Sequence, residues 1–142
     1  MQPSDARARF AAARVARLAT AGADARPHLV PVVFALDGDT LYSAVDAKPK
    51  RTQRLRRLAN IASNPAVALL VDHYDEDWSA LWWARADGAA RLLEAGDPDA
   101  GRARKLLAAR YVQYRDAPPA GQVVAVDVER WSGWAAADWG AR

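Results

Sequence analysis

Apolar and polar positions along the 142-residue chain follow two rhythms, and the switches between them outline its elements. Period-two or continuous apolar runs predict strands over Val15–Thr20, His28–Leu36, Thr40–Asp46, Ala66–His73, Leu81–Glu94 and Gln122–Trp131. Pro31 removes a ladder donor from the second run, which places that strand at an edge or breaks it with a bulge. Asp37-Gly38-Asp39 predicts a hairpin turn into Thr40–Asp46, with Leu41 and Ser43 on one face and Tyr42 and Ala44 on the other. Asp87-Gly88 predicts a turn or bulge within the long fifth run. In the last run, Val124, Val126 and Val128 share a face.

Three stretches read as helices. The first is Ala6–Ala13, capped by Ser4 and Asp5. The second opens at Lys48–Thr52 and runs to about Ala62, with Leu55, Leu58, Ala59 and Ala62 as its core stripe. The third follows Asp97-Pro98 to about Tyr111, with Ala103, Leu106, Leu107 and Arg110 at helical spacing. Six or seven strands, two to three helices and no βαβ rhythm suggest an antiparallel barrel plugged by helices. No Gly-rich turn of the parallel dinucleotide fold follows the first strand. We read residues 1–142 as a single domain.

Composition narrows the chemistry. Hydrophobic residues make up 51% of the chain and charged residues 26%, enough for a core and unlike a disordered chain. Neither a membrane span nor a secretory leader is legible, so a soluble, cytoplasmic protein is the expectation. The absence of cysteine excludes disulfides, thiolate metal sites and a cysteine nucleophile. Charge is concentrated: Lys48, Lys50, Arg51, Arg54, Arg56 and Arg57 fall within ten residues that hold no acid. The remaining chain carries fourteen basic residues against seventeen acidic ones. One basic cluster on a mildly acidic body points to one anionic partner, with a solvated helix face as the alternative. The helix start at Lys48-Pro49-Lys50-Arg51-Thr52 suits phosphate, although proline in a first turn needs no ligand.

Other chemistry finds little support. His28 and His73 are isolated, and Asp75-Glu76-Asp77 lacks the spacing of a calcium loop, so no metal is expected. No nucleophile elbow, zinc-protease motif or Walker loop occurs. Trp82-Trp83 is unusual: in a strand one indole faces the core and the other faces outward, as at a subunit interface or a planar-ligand site. Trp131, Trp134 and Trp139 add three indoles near the end, although a small barrel also seals its ends with such residues.

Several runs together resemble the pyridoxamine-phosphate-oxidase-like split-barrel superfamily of flavin and deazaflavin oxidoreductases. They are Ala16–Thr20, Arg26–Val32, Lys48–Arg57 and Asn64–Leu69. Asp72-His73-Tyr74, Trp82–Gly88 and Trp131-Ser132-Gly133-Trp134 resemble its class dependent on coenzyme F420. The resemblance extends from about Phe10 to Trp134. It implies a mainly β, α+β fold, a six-stranded antiparallel split β-barrel of FMN-binding type with two to three flanking helices, and a homodimer with cofactor sites between subunits. It also implies that Pro31, Val32, Val33 and Phe34 lie along the planar ring, that Ser43 and Val45 flank it, and that Lys48, Lys50, Arg51 and Thr52 hold the phosphate. The partner subunit is expected to contribute Trp82, Arg85 or Trp131.

The expected cofactor is F420, with FMN as the alternative, because a basic track suits a phosphodiester bearing a polyglutamate tail better than a single phosphate. The expected activity is hydride transfer between F420 and a small, planar, conjugated acceptor. No catalytic residue is assigned; Tyr42, Tyr74, His28 and solvent remain open as proton donors. A binding or storage protein without turnover is the second reading. Nucleic-acid binding by the basic helix ranks last, so neither nucleic acid nor membrane is an expected partner.

Overall fold

The computed structural model describes residues 1–45 and 51–139, apart from the side chains of 51–55 and 139. Seven strands form one antiparallel sheet: β1 (Ala16–Ala21), β2 (Pro27–Val32), β3 (Ala35–Asp37), β4 (Thr40–Ala44), β5 (Ala66–His73), β6 (Trp82–Leu93) and β7 (Val123–Ala135). Their order is β2-β1-β5-β6-β7-β4-β3. The two edge strands, β2 and β3, are consecutive in sequence, so the sheet curls round and remains split where they would meet. Described helices number five: α1 (Pro3–Ala12), α2 (Arg51–Ser63), α3 (Pro98–Arg110), α4 (Val112–Asp116) and α5 (Ala136–Trp139). A short 3₁₀ turn covers Trp78–Ala80.

The mainly β split-barrel class is as expected, but there are seven strands rather than six and five described helices rather than two or three. The extra strand comes from the run His28–Leu36. Pro31 does lie in an edge strand, and the run then breaks at Val33-Phe34 to give β2 and β3. At that break no strand pairs with Phe34. Instead the Tyr111 hydroxyl accepts from Phe34 N–H at 3.2 Å and lies within donating distance of Phe34 O (3.0 Å) and Arg14 O (2.9 Å). The extra helices, α4 and α5, are too short to carry a readable period.

Alternation decides what fills the barrel. Leu18, Leu41, Leu69, Val71, Ala84, Ala86, Val124 and Val126 point inward, α1 inserts Ala6 and Phe10 at one end, and α2 inserts Ile61 with Leu58 at the other. The core stripe of α2 is therefore Leu58 and Ile61, whereas Ala59 and Ala62 are exposed and the Leu55 side chain lies outside the described residues. Contact with β1 sets this rotation: Asn60 Nδ2 donates to Thr20 Oγ1 (3.1 Å) and lies against Gly22. The opposite faces of Tyr42 and Ala44, with Val123 and Ala125, are buried under α3 by Ala100, Ala103 and Leu107. The α1 cap also moves: Gln2, not Ser4, precedes the helix, and its N–H donates to Asp5 (3.1 Å).

The Asp87-Gly88 irregularity is a β-bulge. Asp87 pairs with Arg130 while Gly88 pairs with Val128, leaving Glu129 as an extra residue. A Cβ on Gly88 would overlap Asp127 O and approach Val128 Cα to 3.0 Å, so the chain needs glycine there. The bulge reverses the parity of β7. Val124, Val126 and Val128 face inward before it; Trp131 faces inward after it, and Ser132 and Trp134 face outward.

Candidate functional site

One outer face of the barrel, built from β2, β1, β5, β6 and the end of β7, carries no helix-buried cluster. Register aligns its outward side chains in rows: Pro31, Arg17, Leu70, Arg85 and Ser132 form one, and Asp72, Trp83 and Trp134 form the next. Leu29 (65% exposed) and Leu70 (37%) belong to none of the three buried clusters, and nor do Trp83 and Trp134. Tyr74 and Trp78 stand beside this face, also exposed. So much apolar surface on one side of a small domain marks a contact or binding face.

A cleft of about 380 Å³ opens there, lined by Leu70, Asp72, His73, Tyr74, Leu81, Trp82, Trp83, Arg85 and Trp134. Trp83 and Trp134 are directly opposed across β6 and β7, so their indoles share the floor. His73 stacks on Trp82 (centroids 6.2 Å, 19°), and Arg9 lies over the same indole at 4.6 Å. The Arg85 guanidinium lies over Trp83 at 5.5 Å, and its Nε donates to Asp87 at 2.9 Å. Arg17 pairs loosely with Asp72 at 3.8 Å. Ser132 Oγ, opposite Arg85, is buried without a hydrogen-bond partner.

The expected site residues separate into groups. Trp82 and Arg85 meet in the cleft, and Pro31 lies in the same cross-strand row as Arg85. Val32, Phe34 and Val45 are buried in the barrel core, with Val33 partly buried beside the cluster under α3 and Ser43 buried in β4. Trp131 is not in the cleft: its ring packs edge-on to Phe10 at 5.4 Å and its Nε1 donates to Asp39 at 3.0 Å. Lys48 and Lys50 lie outside the described residues, as do the side chains of Arg51 and Thr52, whose backbone opens α2. Ser132, Trp134 and Leu70 were not assigned from sequence. Trp83 was, as one of an in–out pair, but the Trp134 and Ser132 positions depend on the bulge.

Toward the opposite end of the sheet, His28 senses the cationic helix. Burial, then the charges of Arg56 and Arg57, push its imidazole below the ordinary value of 6.5, so it is held neutral. That end and the cleft are well separated within one chain. Helix α2 leads directly into Ala66 at the start of β5, while the cleft sits at His73, seven residues on, or about 23 Å at ordinary strand rise.

The chain is thus a mainly antiparallel split barrel with an open aromatic face. The chain belongs to the pyridoxamine 5'-phosphate oxidase family, which matches residues 3–135. Solved structures share the fold. A conserved hypothetical protein from Mycobacterium tuberculosis is 21% identical, covering 99% of this chain and 88% of its own, with a TM-score of 0.73. A FAD-binding protein from Mesorhizobium loti is 20% identical over 94% of each chain (TM-score 0.72). HutZ, the heme storage protein from Vibrio cholerae, is 15% identical over 95% of each (TM-score 0.71). No curated protein matches the chain in sequence. Among the described residues there is no three-ligand metal cluster, and no helix is long and apolar enough to cross a membrane.

Proposed function

We propose that the protein is an F420-dependent oxidoreductase, a homodimer in which the basic segment of one copy and the aromatic cleft of the other complete each cofactor site. One observation supports this reading: Arg56 and Arg57 act on His28 near the start of β5 while the cleft sits at the far end of that strand, so a flat cofactor whose anionic handle and ring use both features would span two copies of the chain. The donor set suits such a group. Cations near the start of α2 face a phosphate, and exposed indoles offer a π surface to a ring. Reduced F420, when bound, supplies a hydride to a planar conjugated acceptor; FMN is the alternative cofactor.

The chain's own tasks are to bind, orient and keep water out. Lys48, Lys50, Arg51 and Thr52 hold the phosphate, with Arg56 and Arg57 extending the cationic track toward the anionic tail. The outward strand backbone at Pro31 and the indoles of Trp83 and Trp134 border the ring's environment. The Leu29–Leu70 surface, closed by a second copy, excludes water, and its Arg17–Asp72 and Arg85–Asp87 pairs offer both charges to an identical face. In this reading the protein works in the cytoplasm, in keeping with a chain that has no cysteine to oxidise.

Fluorescence titration with F420 and FMN, alongside sedimentation, tests this. Lys50→Glu with Arg51→Glu is expected to weaken F420 binding more than tenfold, since each charge-assisted contact is worth about 1.5–3 kcal/mol. The melting temperature is expected to stay within about 1 °C, as for surface changes. Unchanged affinity in the double variant would overturn the phosphate assignment.

A second reading, haem carriage, is favoured by one observation: the half-exposed His73 imidazole at the cleft is a side chain able to ligate iron. A Soret band that persists in His73→Ala would exclude it as the ligand.

A further inference from the structure

We infer that the Trp83–Trp134 cleft takes a flat conjugated carboxylate, its ring on the two indoles and its carboxylate on Arg85. This deepens the proposed oxidoreductase reading by naming the acceptor class, and it rests on that reading for the acceptor role only. Four observations converge. The volume, about 380 Å³, suits a small molecule. Its floor is two indoles directly opposed across β6 and β7. Asp87 engages Arg85 through Nε, and among the described residues no hydrogen bond is made by its two terminal nitrogens, on a side chain that lines the cleft. Leu70 and Leu81 add apolar walls around that floor.

The chemistry of the pair selects the ligand. Guanidinium offers only donors and a planar fork, which matches the two oxygens of a carboxylate. The two acids nearby do not cancel this, because Asp87 already accepts from Arg85 and Asp72 faces Arg17 at 3.8 Å. Stacking of Arg85 over Trp83 holds the guanidinium beside the place where a ring would lie. A cation has no unpaired acid to meet there. A neutral arene gains the indoles and leaves the Arg85 fork without an acceptor.

The test uses the cofactor-free protein and two probes of one shape, 2-naphthoate and 2-naphthamide. Indole N–H resonances are followed by NMR, with Trp83→Phe and Trp134→Phe to assign them. Saturable shifts of the Trp83 and Trp134 signals are expected, with naphthoate bound roughly tenfold tighter than the amide. Arg85→Met should erase that preference while still binding the amide; the retained amide binding reports that the cleft is intact. Equal affinity for the two probes, or a preference surviving in Arg85→Met, would overturn the inference. Because no F420 is present, loss of the preference leaves the F420 titration unaffected, and failure of that titration leaves this one readable.

Discussion

At the split of the barrel a single hydroxyl takes the role of a neighbouring strand. Tyr111 satisfies both the N–H and, with Arg14 O competing, the C=O of Phe34, and it is itself buried between the Arg14 and Arg110 guanidinia. Tyr111→Phe preserves the ring and removes the bonds. Leaving buried peptide groups unpaired is expected to cost about 1–3 kcal/mol in urea unfolding, with the slope of the transition unchanged. His28 gives a second, pH-dependent outcome. Its folded pKa is lowered by burial and then by Arg56 and Arg57, so the unfolded chain takes up a proton that the native chain refuses. Stability is therefore unaffected by this group above the ordinary value of 6.5 and falls as pH drops below it. Between pH 7.5 and 5.5, wild type is expected to lose more melting temperature than His28→Gln; equal losses would show that the imidazole is not held neutral.

Among the elements, the bulge at Asp87-Gly88 has the widest reach. It was legible in sequence as Asp-Gly inside a long strand, but its consequence was not: one extra residue, Glu129, exchanges the faces of everything after it. Trp131 consequently enters the core beside Phe10, while Trp134 reaches the cleft. Gly88→Ala places a methyl on Asp127 O and is expected to destabilise by about 2 kcal/mol in thermal or chemical unfolding. Strands were readable because alternation and turn residues are local: Gly38 at φ 61° turns β3 into β4 where Asp37-Gly38-Asp39 indicated. Helix phase was not, because the docking of Asn60 on Thr20, a tertiary contact, rotates α2 to bury Ile61 instead of Ala59 and Ala62. The cleft was half legible. The in–out parity of Trp82 and Trp83 follows from strand geometry, but pairing of Trp83 with Trp134 needs the register between two distant segments.

At the scale of the whole molecule, cations cluster beside one end of the barrel and aromatic surface at the other, with an uncovered apolar face between them. That arrangement gives a second copy something to complete as well as something to cover. The most direct measurement is F420 affinity in a forced monomer. Leu29→Glu charges an exposed position on the open face and leaves both the cleft lining and the basic segment unchanged. Sedimentation is expected to show a folded monomer in place of a wild-type dimer, with F420 binding weakened by about a hundredfold or more as contacts from the partner are lost. A wild-type monomer, or a monomeric variant that binds F420 as tightly as wild type, would contradict a cofactor held between two chains.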